Sequence, residues 1–592
     1  VKLEGGPGTG STLTLDREAK GYFSKYIPQA AAGTRYRYQT GDGAFPDPAS
    51  RSQPEGPHGA SVVVDPSRFS WTDGDWPGIR LEKQVIYEMH LGTFTREGTW
   101  KSASLELEEL SNLGVTLLEI MPIAEFPGEF GWGYDGVHLF APAHVYGTPD
   151  DARAFVDRAH ALGIGVILDV VYNHLGPDGN YLTAFSETYF TDRHQTDWGA
   201  AIDFEGAESE PVRELFVSNA GYWIDEFHFD GLRLDATQSI FDASDTHILA
   251  DVGRRVREAA RHRDTVLIAE NEPQLSNLVR PRERGGYGLD GLWNDDFHHA
   301  ARVALTGRAE AYYSNYSGTA QELVSAVKWG FLYQGQHYPW QKHKRGTPCL
   351  DLRPSQFVVF LENHDQVANS ATGERLHALT SPGRHRALVA LMLLGPATPM
   401  LFQGEEFASS APFLYFADHG KHLAEMVQKG RSAFLSQFPS AATGEVQAVL
   451  DAPHARETFE RSKLDHTERN RNARTYAMYR ELIRLRRTDP VFSLQTHRGV
   501  DGAVLGPSAF VLRYFGPEND DRLLIVNMGH DVDTVRGSEP LLAPPSRRRW
   551  DVLWSSEDPR YGGSGAPPPE QEGAWRLLGE SAVALRAIKR DA

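Results

Sequence analysis

FDGLRLDA (229–236), TVLIAENE (265–272) and FVVFLENHDQ (357–366) are built alike. Each is a run of Leu, Ile, Val and Phe that closes on an acid: Asp235, Glu270 and Asp365. A parallel strand covered on both faces reads as an unbroken apolar run. A carboxylate inside such a run would be desolvated at heavy cost. At the C-terminal end of the strand it is tolerated and useful, because α/β barrels assemble their active sites there.

Working outward, VIYEM (85–89), VTLLEI (115–120), VILDVV (166–171), DGLWN (290–294) and PMLFQ (399–403) are further apolar runs of strand length. Helical patterns lie between several of them. LELEELSNLG (105–114) places Leu105, Leu110 and Leu113 near helical spacing, with Gly114 as a stop. In 150–163, Ala152, Phe155, Val156, Ala159 and Leu162 share a face, and Asp150 is the expected N-cap. In 211–227, a leading Pro precedes Val212, Leu215, Phe216, Trp223 and Phe227. Strand-like runs alternating with helices predict an α/β fold, a (β/α)8 TIM barrel. The alternative, a doubly wound open sheet, is disfavoured because no GxGxxG opens a helix early.

The flanks have a different texture. Residues 1–73 are turn-rich, with YFSKYI (22–27) and RYRYQT (35–40) as short strands and a Pro/Gly-dense connector over 41–60. They predict an N-terminal β-sandwich, incomplete at its start. The barrel is expected over 74–488, its last helix within TYAMYRELIRLRRTDPVF (475–492). AFVLRYF (509–515) and RLLIVNM (522–528) predict a C-terminal all-β sandwich over 489–592.

Composition narrows the function. The 592 residues exceed one compact core. The net charge of −19 argues against nucleic acid and anionic membrane as partners, since both recruit basic clusters. The longest apolar run, from Ala387, is broken by Gly395, Pro396 and Pro399, short of a membrane span. One cysteine, Cys349, and no basic-then-apolar leader after Val1 point to a reducing, cytoplasmic location.

The acids suggest glycoside cleavage, which needs one protonated carboxyl at the leaving oxygen and one carboxylate across the anomeric carbon. Their environments must differ. Arg233, two residues before Asp235 on one strand, projects to the same side and favours the charged form there. Glu270 follows VLIA with no basic neighbour in sequence, so an apolar wall is expected to raise its pKa. Asp365 has His364 beside it and suits a grip on sugar hydroxyls. DVVYNH adds Asp169, Asn173 and His174 at another strand end, where a neutral imidazole suits donation to a sugar hydroxyl. GWGYDG (131–136) offers Trp132 and Tyr134 on a Gly-rich loop as faces for pyranose rings. The competing reading of each acid taken alone is a helix cap or loop salt bridge.

The runs DVVYNH, GLRLDA, IAEN and ENHD, in this order, resemble the four short conserved regions of the α-amylase family of retaining glycosidases and transglycosidases. The resemblance implies Asp235 as nucleophile, Glu270 as acid/base and Asp365 as transition-state stabiliser. It also implies Arg233, His174 and His364 as contacts at the cleaved sugar, with Tyr134 stacking beneath it. Glu272 is the decoy two residues past the acid. A finer likeness, over 141–182, 46–66 and FLYFADH (413–419), is to the glycosyltrehalose trehalohydrolase group. It implies an α-glucan oligosaccharide substrate with a trehalose end. Residues expected in loops after the sixth and seventh strands, such as His298, Tyr333, Gln334 and Gln336, are candidates for the trehalose side. A branching enzyme, a debranching enzyme and a catalytically silent carbohydrate-binding barrel are the alternatives. No nucleotide loop or zinc spacing is present, so no cofactor and no required metal are expected, although some family members hold calcium through the residue equivalent to Asn173.

Overall fold

A computed structural model describes residues 1–196, 198–534, 539–571 and 574–590. All eight apolar runs form strands: β1 Ile86–Met89, β2 Leu117–Ile120, β3 Gly165–Val170, β4 Gly231–Leu234, β5 Val266–Ala269, β6 Gly291–Trp293, β7 Phe357–Phe360 and β8 Thr398–Phe402. Each pairs in parallel with the next, and β8 returns to β1 to close the barrel. Every residue of these strands is buried, which is why they are apolar without alternation.

Side chains nonetheless alternate between the barrel interior and the helix layer. Ile86, Leu117, Ile167, Ile268, Val358, Phe360 and Met400 fill the lower interior together with Trp293. Two residues further on, the inward positions of the first four strands change character, to Glu88, Glu119, Asp169 and Arg233. Register sets Glu88 beside Glu119 and Asp169 beside Arg233. Gly231 lets β4 close on β5, since a Cβ there would lie 1.7 Å from the Val266 carbonyl oxygen.

Helix α1 (Trp100–Leu113) starts five residues before the expected segment, capped by Thr99, and stops at left-handed Gly114. Leu105 is 81% exposed, contrary to expectation. It lies five residues from Leu110, about 140° around the helix; Trp100, Ala103, Leu107, Leu110 and Leu113 form the buried face. Helix α2 (Pro149–Ala161) is capped by Thr148, not Asp150, because Pro149 takes the first helical position. Helices α3 (Glu210–Glu226), α4 (Ile248–Ala260), α5 (Asp295–Thr306) and α6 (Pro382–Leu394) follow β3, β4, β6 and β7, and α7 (Ala473–Thr488) completes the layer. The β5–β6 connection is made of short 3-10 turns.

The N-terminal β region is a four-stranded antiparallel sheet (Lys2–Gly5, Arg35–Thr40, Gly43–Phe45, Ser61–Val62) with a separate ribbon of Asp16–Arg17 and Phe23–Ser24. Of YFSKYI, only Phe23–Ser24 is strand. The C-terminal domain is all-β, a five-stranded and a three-stranded antiparallel sheet. Among the described residues no helix is long and apolar enough to cross a membrane.

The segment entering the barrel is pinned at its lower end. His160 of α2 is buried, with Asp73 Oδ2 2.8 Å from Nδ1 and Asp230 Oδ2 2.9 Å from Nε2. Trp76 stacks on the ring at 4.6 Å and donates to Asp230 Oδ1 at 2.7 Å. Burial works against a charged ring, but Asp230 and Asp73 outweigh it and raise the His160 pKa. That contribution to stability is complete below the ordinary histidine range and is lost as pH rises through the raised folded value. His160→Gln is therefore expected to cost about 2 kcal/mol near pH 6, with the difference shrinking at alkaline pH. Urea denaturation of both chains across pH checks this.

Candidate active site

The site is built on the ends of β3, β4 and β5 around one guanidinium. Arg233 is fully buried, held over the Trp293 ring with its Cζ 4.2 Å from the centroid. Nη1 donates to both oxygens of Asp169, at 2.9 and 2.8 Å, and to Asp235 Oδ1 at 2.8 Å. Nη2 is ion-paired with Glu270 Oε2 at 2.9 Å. Asp235 and Glu270 thus face one another across the two terminal nitrogens of a single side chain.

The local backbone supports this. Asp235 and Glu270 are the first residues past β4 and β5. Ala236 takes a left-handed conformation (φ 38°), so its N–H donates to Glu270 Oε2 at 2.8 Å. The Thr237 hydroxyl and N–H both donate to the Glu270 carbonyl. Asn173 Nδ2 donates to Asp235 Oδ2 at 2.7 Å. Its Oδ1 meets His174 Nδ1, so the carboxamide is fully engaged within the site. Among the described residues no group of three or more His, Cys, Asp or Glu is placed to hold a metal ion.

Burial pushes the Glu270 carboxyl up to about 8; Arg233 opposes this, while Asp235 and Asp365 add to it. The sequence offered no basic neighbour for Glu270, yet the barrel brings Arg233 against it. Desolvation and two nearby acids still prevail. Burial likewise lifts Asp169 to about 6, against the pull of Arg233. Asp365 reaches the same space by another route. It lies beyond β7 in a short helix (His364–Ala368) capped by Asn363, with its side chain 40% exposed. Glu362, nearer the strand end, is instead paired with Arg375 at 3.3 Å.

Tyr134 donates to Asp169 Oδ2 at 2.6 Å and lies against His364, ring centroids 5.3 Å apart at 25°. His364 is buried and Tyr134 half-buried at the floor. Three expectations need correction. Trp132 is not an open sugar platform. It is 6% exposed, donates to the Leu414 carbonyl at 2.9 Å and packs on Phe413, Tyr415 and His364. The glycines of GWGYDG shape a turn into the core: a Cβ on Gly133 would lie 2.0 Å from the Pro122 carbonyl oxygen. His174 is lowered by burial, as a neutral ring would be, but its nitrogens face protein oxygens, with Nε2 2.9 Å from the Tyr134 carbonyl. It braces the Tyr134 loop. Asp169, also expected to meet substrate, is wholly occupied by Arg233 and Tyr134.

The residues proposed for the leaving-group side divide. His298 belongs to α5, is 1% exposed and stacks on Phe360, so it is core. Tyr333 packs on Tyr316 and Tyr338. Gln334 accepts from the Cys349 N–H, and Gln336 folds back on Gln334. Glu272 faces away from the pair, its carbonyl and carboxylate both toward Arg345. The sequence reading passed over Glu88, Glu119 and Trp198. The first two carry a detectable signal, an acid within a fully apolar run. Trp198, in a hairpin over the site (Phe190–Thr196 and Gly199–Ile202), lies flat on His174 with centroids 4.3 Å apart; nothing in the sequence singles it out.

A closed barrel with paired acids at adjacent strand ends is the catalytic scaffold of α-amylase-type glycoside hydrolases. Residues 63–211 match the family model for the alpha amylase catalytic domain, and 497–575 match a domain of unknown function, DUF3459. A candidate alpha amylase from Salmonella typhimurium superposes with a TM-score of 0.85 at 36% identity, covering 97% of this chain and 94% of that one. A malto-oligosyltrehalose trehalohydrolase from Deinococcus radiodurans is 43% identical over 508 residues, 85% of this chain and 82% of the relative. A 1,4-alpha-glucan branching enzyme from Corynebacterium jeikeium is more distant, 29% identical over 76% of this chain and 65% of its own length. The chain belongs to the malto-oligosyltrehalose trehalohydrolase family.

Removing the guanidinium strands three acids around an empty hole. Arg233→Leu is expected to lose about 3–5 kcal/mol of folding free energy, as for a buried pair stripped of one partner. Denaturant melts at neutral pH check this; an unchanged midpoint would show that the acids do not depend on Arg233.

Proposed function

We propose that the protein hydrolyses the α-1,4 bond next to the terminal trehalose of maltooligosyl trehalose, releasing trehalose and a shortened maltooligosaccharide with retention at the anomeric carbon. The observation that carries this reading is the Asp235–Glu270 pair sharing Arg233. Two acids held by one guanidinium, with burial keeping the Glu270 carboxyl protonated at neutral pH, fit double displacement. The trehalose end is supported by the name of the relative from Deinococcus radiodurans.

In this reading Asp235 attacks the anomeric carbon as Glu270 gives its proton to the departing trehalose oxygen. The covalent glycosyl-enzyme is then opened by water. Glu270, now a carboxylate, takes the water's proton, and Asp235 leaves. Asp365, reaching in from the opposite rim, grips hydroxyls of the same sugar and favours its distorted, cation-like form. Tyr134 supplies the apolar floor, and Arg233 and His364 fix the polar groups around it. The single Cys349 fits a cytoplasmic setting.

Incubation with maltooligosyl trehalose is expected to release free trehalose, and proton NMR to show the α-anomer first at the new reducing end. New α-1,6 branches on amylose without trehalose release would transfer the chain to the branching reaction. Asp235→Asn and Glu270→Gln are each expected to lower kcat by several orders of magnitude with the fold retained. Because the acid must be protonated, kcat/KM should fall as pH rises through about 8, the value for Glu270. Activity still rising at pH values above that would remove Glu270 from the acid role.

A further inference from the structure

Beneath the catalytic acids lies a buried chain of polar groups whose first member, Glu88, the reaction as described does not use. It begins on β1, where Glu88 is 1% exposed. Glu88 Oε1 is 2.5 Å from His364 Nδ1, and its Oε2 accepts the His364 backbone N–H at 3.2 Å. One carboxylate therefore holds both the ring and the main chain of His364.

The far side of the ring fixes the second proton. His364 Nε2 is 3.0 Å from the Tyr134 hydroxyl oxygen. That hydroxyl spends its own proton on Asp169 Oδ2, whose acceptor role Arg233 enforces. Tyr134 is thus an acceptor toward the imidazole, and Nε2 must carry hydrogen. Nδ1, against the Glu88 carboxylate, must carry hydrogen too. A neutral imidazole has only one N–H.

We propose that Glu88 is a positioning residue that holds His364 as an imidazolium, placing a fixed positive charge beside Asp365 and under the bound sugar. The location under a sugar rests on the function proposed above; the charge state does not.

The surrounding groups are consistent with this. Asp365 Oδ2 is 3.6 Å from Nε2. Burial works against the charge, but Asp365 and Glu88 override it and raise His364 to about 9, with Arg233 opposing. His90 adds no competing charge, since burial lowers it to about 4. Glu119, beside Glu88 on β2, has neither oxygen hydrogen-bonded, and burial pushes its carboxyl well above the usual range. Burial thus favours its neutral form.

The full chain labelled with [13Cε1]histidine is titrated by NMR, with His364 assigned by its loss in His364→Asn. The expected result is a His364 midpoint well above the ordinary ~6.5, falling by at least about one pH unit in Glu88→Gln. In the same variant, the alkaline limb of kcat/KM should move toward acid pH, and kcat should drop at least about tenfold with KM nearly unchanged. Glu119→Gln should leave midpoint and limb in place, because an amide and a protonated carboxyl carry the same charge. A parent midpoint near the ordinary value overturns the proposal, as does a Glu88→Gln midpoint equal to the parent's. Should Glu88→Gln not fold, the parent titration decides alone. A chain that releases no trehalose but keeps the raised midpoint refutes the substrate reading and upholds this one.

Discussion

The structure depends on one constraint: a guanidinium with no exposure to solvent must be neutralised where it stands. An isolated buried ion costs several kcal/mol even after relaxation, so Arg233 dictates its surroundings. Asp169 and Asp235 share Nη1, Glu270 meets Nη2, and Trp293 covers the face. One positive charge cannot satisfy three carboxylates. Burial raises the pKa values of Glu270 and Asp169, Asp235 adds to the rise, and Arg233 only partly opposes it. A single side chain thereby brings two acids together, while burial raises one of them, as a proton donor in acid–nucleophile chemistry needs.

From Arg233 the order propagates outward through bonds whose direction is fixed. Asp169, oriented by the guanidinium, takes the Tyr134 proton. Tyr134, so oriented, lies against His364, and its main-chain carbonyl meets His174. Trp132, behind both, fills the space that would otherwise let the loop shift. The floor of the site is therefore held by a continuous set of hydrogen bonds and ring contacts. Networks of this kind are demanding, because a member left unpaired is costly.

The barrel was legible in the sequence because burial on both strand faces leaves a plain signature. GLRL is a strand to the residue, and TVLIA and FVVFL each miss by one. The three acids were legible for the same reason, as charges that end apolar runs. Asp365 shows the limit: its position depends on a turn into a short helix, which strand reasoning does not supply. Trp132 was misread because Gly-rich flanks suggest an exposed loop, whereas here they permit close backbone contact inside the core. Leu105 was misassigned by a phase error, and Asp150 by neglect of Pro149. His298 was taken for a loop residue although NDDFHH, with its Asn cap and early acids, opens a helix.

Glu88 and Glu119 mark a different kind of blindness. Both lie inside runs read as apolar, and their acidity was passed over because the pattern was otherwise so clear. In a closed barrel, however, an inward ionisable group has no route to water and must be answered by other inward polar groups at the same height or stay neutral. Register supplies that height: Glu88 beside Glu119 and Asp169 beside Arg233. An acid in the third position of IYEM and LLEI is thus informative in itself. It says that the layer above the hydrophobic plug is ionic, and that the site at the mouth rests on charge as well as on packing. The same reasoning separates chemistry from specificity in this fold. The ionic layer and the strand ends are fixed by barrel geometry. The mouth also carries long connections such as the hairpin of Phe190–Thr196 and Gly199–Ile202, whose Trp198 meets His174 only through the tertiary fold.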